Sequence, residues 1–244
     1  MNALRRLGAG ALLLVLEPVC ASAYGPETVR RLTDVSLRLT APSLRMALLA
    51  YRSDLDRGVS DTLAAFATAP RERVAQEAQR EFDLLPTLPR SQLPFDVIAY
   101  HFGRLAGLLY AANDPLLEGN DPQALEVHAD YLAYVERKLP LMVFAFDGYD
   151  SPPLGSDLKA YLTERLRTER RYREAVLFCY FPPGGKRTPS QSFDDRSNAF
   201  GVAQVVLSHG VSDTAKAWLG AWKAMDGDLA ATPYYHPEVS APAS

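Results

Sequence analysis

The chain is poor in the residues that crosslink proteins. It has two cysteines, and one of them, Cys20, falls in an N-terminal leader. Cys179 is then alone, no intramolecular disulfide can form, and stability must come from packing. Cys179 lies in the apolar run Ala175–Phe181, where a small buried hydrophobe is expected rather than a reactive thiol. An excess of basic charge is also lacking: 26 Lys and Arg face 29 Asp and Glu, for a net charge of −3. That balance, with no basic cluster free of interleaved acids, argues against generic nucleic-acid binding. No apolar run beyond the leader is long enough to cross a bilayer. There is no Gly-x-Ser-x-Gly nucleophile elbow. The Pro182–Lys186 segment (PPGGK) lacks the Gly-x4-Gly-Lys-Ser/Thr spacing of a phosphate loop. Alternating strand patterns and internal repeats are missing as well.

What is present is a leader and a series of helical periodicities. Residues 1–23 have the layout of a secretory signal peptide: Arg5 and Arg6, the apolar stretch Gly8–Leu16, and Ala21-Ser22-Ala23 as a small-x-small cleavage site. Cleavage there starts the mature chain at Tyr24 and directs it to the periplasm or outside the cell. The alternative, a lipoprotein anchored at Cys20, requires a small residue just before the cysteine, and Val19 is not small. Val29, Leu32, Val35 and Leu39 stripe a first helix opened by Pro26. Leu44, Leu48, Tyr51 and Leu55 stripe a second, opened by Pro42 and ended by Gly58. Val74, Ala78, Phe82 and Leu85 line the apolar side of a third, before a loop marked by Pro86, Pro89 and Pro94.

The central pair of helices follows. One carries Ile98, Phe102, Leu105, Leu109 and Ala112. The other opens at Asp121-Pro122, an N-cap followed by proline in the first helical position, and carries Leu125, His128, Leu132, Val135 and Leu139. Leu139–Phe146 reads as either a helical turn or a strand. Ser156 is the expected cap of a long helix to about Cys179, and two further helices are expected at 194–207 and 213–225. Trp218 and Trp222 share a face of the last of these and read as core. The expectation is a single-domain all-α bundle of seven to nine helices over residues 24–226, with a loose tail at 227–244.

The order FGRLA, proline turn (Asp114-Pro115-Leu116-Leu117), then His128-Ala129-Asp130-Tyr131 resembles the zinc-dependent phospholipase C and single-strand nuclease superfamily. So do the opening Tyr24-Gly25-Pro26 and the Ser212-Asp213-Thr214 turn followed by two tryptophans. The resemblance touches about half of the mature chain. It implies a helical phospholipase C-like fold and, in active members, a trinuclear zinc site fed by a His-x3-Asp helix, a turn histidine, a His-x3-Glu helix and the mature N-terminal residue. Aligned on the turn proline, those ligand positions here hold Gly107, Ala111, Leu117 and Leu132, and the position near the N-terminus holds Val29. Only His128 stands where the family has a ligand. Gly58-Val59-Ser60-Asp61 has the shape of the family's turn bearing a bridging carboxylate, although Asp61 after Ser60 also reads as an N-cap.

The metal candidates are therefore His128 and Asp61, as vestiges, with Tyr24, His101 and Asp114 available to a remodelled site. Against them, Leu132 and Ala124 stand four residues to either side of His128, and zinc needs three or four converging donors. A lone histidine on an apolar face is usually a core residue with one hydrogen bond. Asp114 before Pro115 reads as a turn residue. His209-Gly210 reads as a helix C-terminus, and the arginine-rich 165–173 stretch, with Glu164 and Glu169 interleaved, as a solvated charged face. No catalytic residue and no resident cofactor are assigned. The expected function is that of an exported phospholipase C-like pseudoenzyme with a binding or structural role, its partner a lipid or an envelope protein. The alternative is a zinc-dependent phosphodiester or phospholipid hydrolase with a rebuilt site.

Overall fold

The structure, a computed structural model, describes residues 24–117, 121–149 and 157–236. The expected leader at 1–23, the expected Ser156 cap and residues 237–244 of the expected tail lie outside that set. Among the described residues there are eight α-helices and no strand: α1 (Pro26–Leu39), α2 (Pro42–Ala50), α3 (Arg52–Phe66), α4 (Arg71–Leu84), α5 (Phe95–Ala112), α6 (Pro122–Lys138), α7 (Leu158–Tyr180) and α8 (Asn198–Ala224). The fold is all-α. No helix among the described residues is long and apolar enough to cross a membrane.

Several helix starts are those the sequence signals. Pro26, Pro42 and Pro122 occupy first-turn positions, where a missing N–H costs nothing. The Asp121 side chain accepts from the Gln123 and Ala124 amides. Asp157 caps α7 by accepting from the Ala160 amide. The start of α1 is completed from another helix: Glu136 of α6 accepts from the backbone amides of Glu27 and Thr28, each at 3.0 Å, and from the Thr28 hydroxyl. A carboxylate on exposed amide donors at the positive end of a helix is favourable on both counts.

Helices α5 and α8 form the centre. Nearly every residue of α5 from Ile98 onward is buried, and α8 is buried almost continuously from Val206 to Leu219. Around them pack α3 and α4 on α5, and α1 and α7 on α8. Trp218 of α8 is fully buried, stacks edge-on against Phe102 of α5 and donates its indole N–H to the Phe102 carbonyl at 3.0 Å.

Four expectations are corrected. Gly58 does not end a helix: the break comes at Tyr51, and Gly58 sits inside α3, buried where the α5 backbone crosses it. The Asp61 cap reading fails with it, because Asp61 is in mid-helix. The two terminal helices are one, α8, with Gly210 buried in its interior and facing the Tyr110 ring. Leu125 is half exposed; the buried stripe of α6 runs through Ala124, Val127, His128, Tyr131 and Leu132, one position out of phase with it.

The 139–146 run is a helical turn only over its first three residues and contains no strand. A short 3-10 turn at Leu139–Leu141 leads into an extended strap over 142–149. Residues 227–236 fold back over the bundle, with Thr232 buried and Trp222 and Ser43 both donating to the Asp228 carbonyl.

Candidate functional site

The turn after α5 carries Asp114, and the first half of α6 carries His128. The chain reverses between them, bringing Asp114 Oδ2 within 2.6 Å of His128 Nε2. Asp114 is fully buried and His128 nearly so. The other carboxylate oxygen accepts from the Leu116 amide at 2.9 Å, which makes Asp114 a turn residue as well as a partner. Arg71 of α4, itself buried, clasps the same turn from outside, donating to the Asp114 carbonyl and, at 3.0 Å, to the Leu117 carbonyl. Tyr131, three residues beyond His128, is fully buried, and its hydroxyl has no hydrogen-bond partner among the described residues. Burial first, and then the Asp114 charge, hold its phenol well above the ordinary value.

Burial alone would lower the His128 pKa; the Asp114 carboxylate, by charge and by hydrogen bond, outweighs it, and the net shift is upward. A histidine raised in the folded state stabilises fully below its unfolded pKa, about 6.5, and loses that contribution as pH climbs through the raised value. Denaturation midpoints measured from about pH 5.5 to pH 9 should therefore fall for the wild type through and above the ordinary histidine range. In His128→Gln that component should vanish; an unchanged profile in the variant would assign the titration to another group.

The structure keeps the other candidates apart. Asp61 is exposed on α3 and accepts from the Tyr100 hydroxyl at 3.1 Å. His101 of α5 meets Glu81 of α4 through Nδ1, and Arg104 holds the other Glu81 oxygen at 3.0 Å. Tyr24 is buried just ahead of α1. Of the candidates, only Asp114 and His128 touch. Among the described residues no group of three or more His, Cys, Asp or Glu side chains is placed to hold a metal ion.

The positions where the resemblance places zinc ligands are packed. Ala111, Leu117 and Leu132 are buried, and Val29 packs against the core. Gly107 leaves no vacated space: a Cβ there would lie 2.9 Å from both the Thr62 Cβ and the Val59 carbonyl oxygen, so α3 already fills it. Zinc requires three or four donors; the donor set here is one imidazole and one carboxylate already bonded to each other, and it does not fit.

A second polar cluster escaped the sequence reading. Asp213 of α8 is fully buried and accepts from Asn113 at 2.9 Å and from the Tyr161 hydroxyl at 2.8 Å. Arg165 of α7 lies 3.2 Å from it. Burial raises the Asp213 pKa, with Arg165 opposing. Arg165 is thus not part of a solvated face, and neither is Arg173, which pairs with Asp121; Arg167 and Arg170 are, in exposed pairs with Glu164 and Glu174. The available signal was Asp213 itself, an acidic residue among the small and apolar residues around Val211, Ala215 and Trp218. Cys179 is partly buried, donates to the Ala175 carbonyl, and has a thiol pKa raised by burial, which disfavours reactivity.

No protein-family model matches the chain, and no curated protein or solved structure matches it significantly.

Proposed function

We propose that this chain is an exported, phospholipase C-like helical protein whose role is binding or structural rather than hydrolytic. The observation that carries the reading is the state of the aligned ligand positions. Gly107, Ala111, Leu117 and Leu132 are packed against neighbouring side chains, and the one retained histidine is bonded to Asp114 inside the core. Charges left unpaired in a half-dismantled site would cost several kcal/mol each, by the order of magnitude for buried ions. Here the polar remainder is an imidazole–carboxylate pair, and the rest is apolar or small. The leader at residues 1–23 supports export.

One observation favours a second reading, a zinc-dependent phosphodiester or phospholipid hydrolase with a rebuilt site: His128 and Asp114 do converge. The test is elemental analysis of the mature protein, prepared without chelator or affinity-tag histidines, together with hydrolysis of an aryl phosphodiester and of phospholipid vesicles. The expected result is sub-stoichiometric metal and no turnover above buffer. Stoichiometric zinc with hydrolysis, both lost in His128→Ala, would replace the first reading with the second.

A further inference from the structure

The strap at residues 142–149 lies across α8 on a ladder of polar side chains one helical step apart. The Ala145 amide donates to Ser208 Oγ at 3.1 Å, and the Asp147 amide to Ser212 Oγ at 3.3 Å. The next step, Lys216, receives the Asp147 side chain, with Nζ 2.7 Å from Oδ1. Two residues of extended chain advance about 6.6 Å and four residues of helix about 6 Å, so the two repeats stay in register.

The charges under the strap are unevenly held. Asp213 is fully engaged by Asn113, Tyr161 and Arg165. Lys216 is 5% exposed, and its ammonium, with three donors, completes no well-angled hydrogen bond among the described residues. The carboxylate that faces it, Asp147, is 40% exposed and also lies 3.7 Å from Arg165. A buried cation is therefore neutralised by an exposed carboxylate on a segment without regular secondary structure. Gly148, at φ +81°, follows Asp147 directly and gives the strap a bend that other residues resist. Asp147 lines an open cleft of about 620 Å³ together with Phe144, Phe146, Val35, Val211, Tyr234 and His236, with room for a short apolar tail beside polar groups.

We propose that Lys216 and Arg165 form a carboxylate-binding site whose resident occupant is the chain's own Asp147. The external ligand is a carboxylate with an apolar tail, such as a medium-chain fatty acid. Its head takes the place of Asp147 on Lys216 and its tail lies in the aromatic cleft, while the strap, which supplies Phe144 and Phe146 to that cleft, stays on Ser208 and Ser212 and only the Asp147 side chain swings out. Asp147 then moves into water, which its present exposure makes inexpensive, and Lys216 is never left unpaired. The cation pair shares no side chain with the Asp114–His128 pair, so the site stands whether or not the chain hydrolyses anything.

An internal competitor lowers apparent affinity by the fraction of time it occupies the site. Asp147→Ala and the milder Asp147→Asn should therefore bind octanoate about tenfold or more tighter than wild type by titration calorimetry. Acetate, which lacks the tail, and 1-octanol, which lacks the charge, should each bind far more weakly than octanoate. Lys216→Met should remove the octanoate response. In the wild type, saturating octanoate should slow hydrogen exchange in the peptide covering 142–149, whose Phe144 and Phe146 wall the tail, a readout that needs no variant. Equal octanoate affinity in wild type and Asp147 variants, octanol binding as well as octanoate, or exchange in the strap unchanged by octanoate would each overturn the site.

Discussion

Gly103→Ala should destabilise the protein by about 2 kcal/mol or more, although alanine is the better helix former by about 1 kcal/mol. Gly103 of α5 and Gly58 of α3 face each other where the two helices cross. A Cβ on Gly103 would enter the Leu55 carbonyl oxygen and lie 3.1 Å from the Gly58 Cα; one on Gly58 would enter the Tyr100 carbonyl oxygen. The obstructing atoms are backbone, so no rotamer change relieves them and the helices must separate. Overpacking of a tight core costs about 1–3 kcal/mol, and more where backbone moves. Gly201 supplies the contrast: it lies in α8 with nothing within 4 Å of an added Cβ, and Gly201→Ala should stabilise by about 0.5–1 kcal/mol. Urea midpoints of the two variants should move in opposite directions. Movement of both upward would mean that α3 and α5 do not cross this closely.

The same glycine shows where reading the sequence succeeds and where it stops. Local signals placed α1, α4, α5 and α6 well, because their apolar stripes and proline or aspartate starts act within one or two helical turns. Gly58 and Gly210 look locally like helix breakers, yet both lie inside helices; the α5 backbone approaches Gly58 too closely for a side chain, whereas a Cβ on Gly210 would make only ordinary contact with the Tyr110 ring. No local pattern carries that information. The true break at Tyr51 has neither glycine nor proline to mark it. Arg165 and Arg173 were indistinguishable from their solvated neighbours because their partners, Asp213 and Asp121, are brought to them only by the tertiary fold. Asp114 and His128 were individually legible as polar residues at a turn and on an apolar face. Their pairing needed the reversal between α5 and α6.

That pairing sets the other large effect. Asp114→Ala should cost about 3–5 kcal/mol near pH 6, the range for breaking one side of a buried ion pair. The substitution strands the His128 imidazole in the core and also removes the acceptor for the Leu116 amide, loosening the turn that Arg71 clasps. His128→Leu alone leaves the buried carboxylate without its cation and should also be costly. The double variant should cost less than the sum of the two, because replacing both partners by apolar groups removes the stranded polar atom as well as the bond. A double-mutant cycle in urea should thus return a coupling in the range of about 0.5–3 kcal/mol found for residues in direct contact. The coupling should be unchanged by a chelator if the pair belongs to the core, whereas a metal-linked pair would lose part of it when the metal is stripped. Additivity within about 0.5 kcal/mol would mean that Asp114 serves the turn alone. His128 would then be free for a ligand, and the binding-only reading of this region would lose its main support.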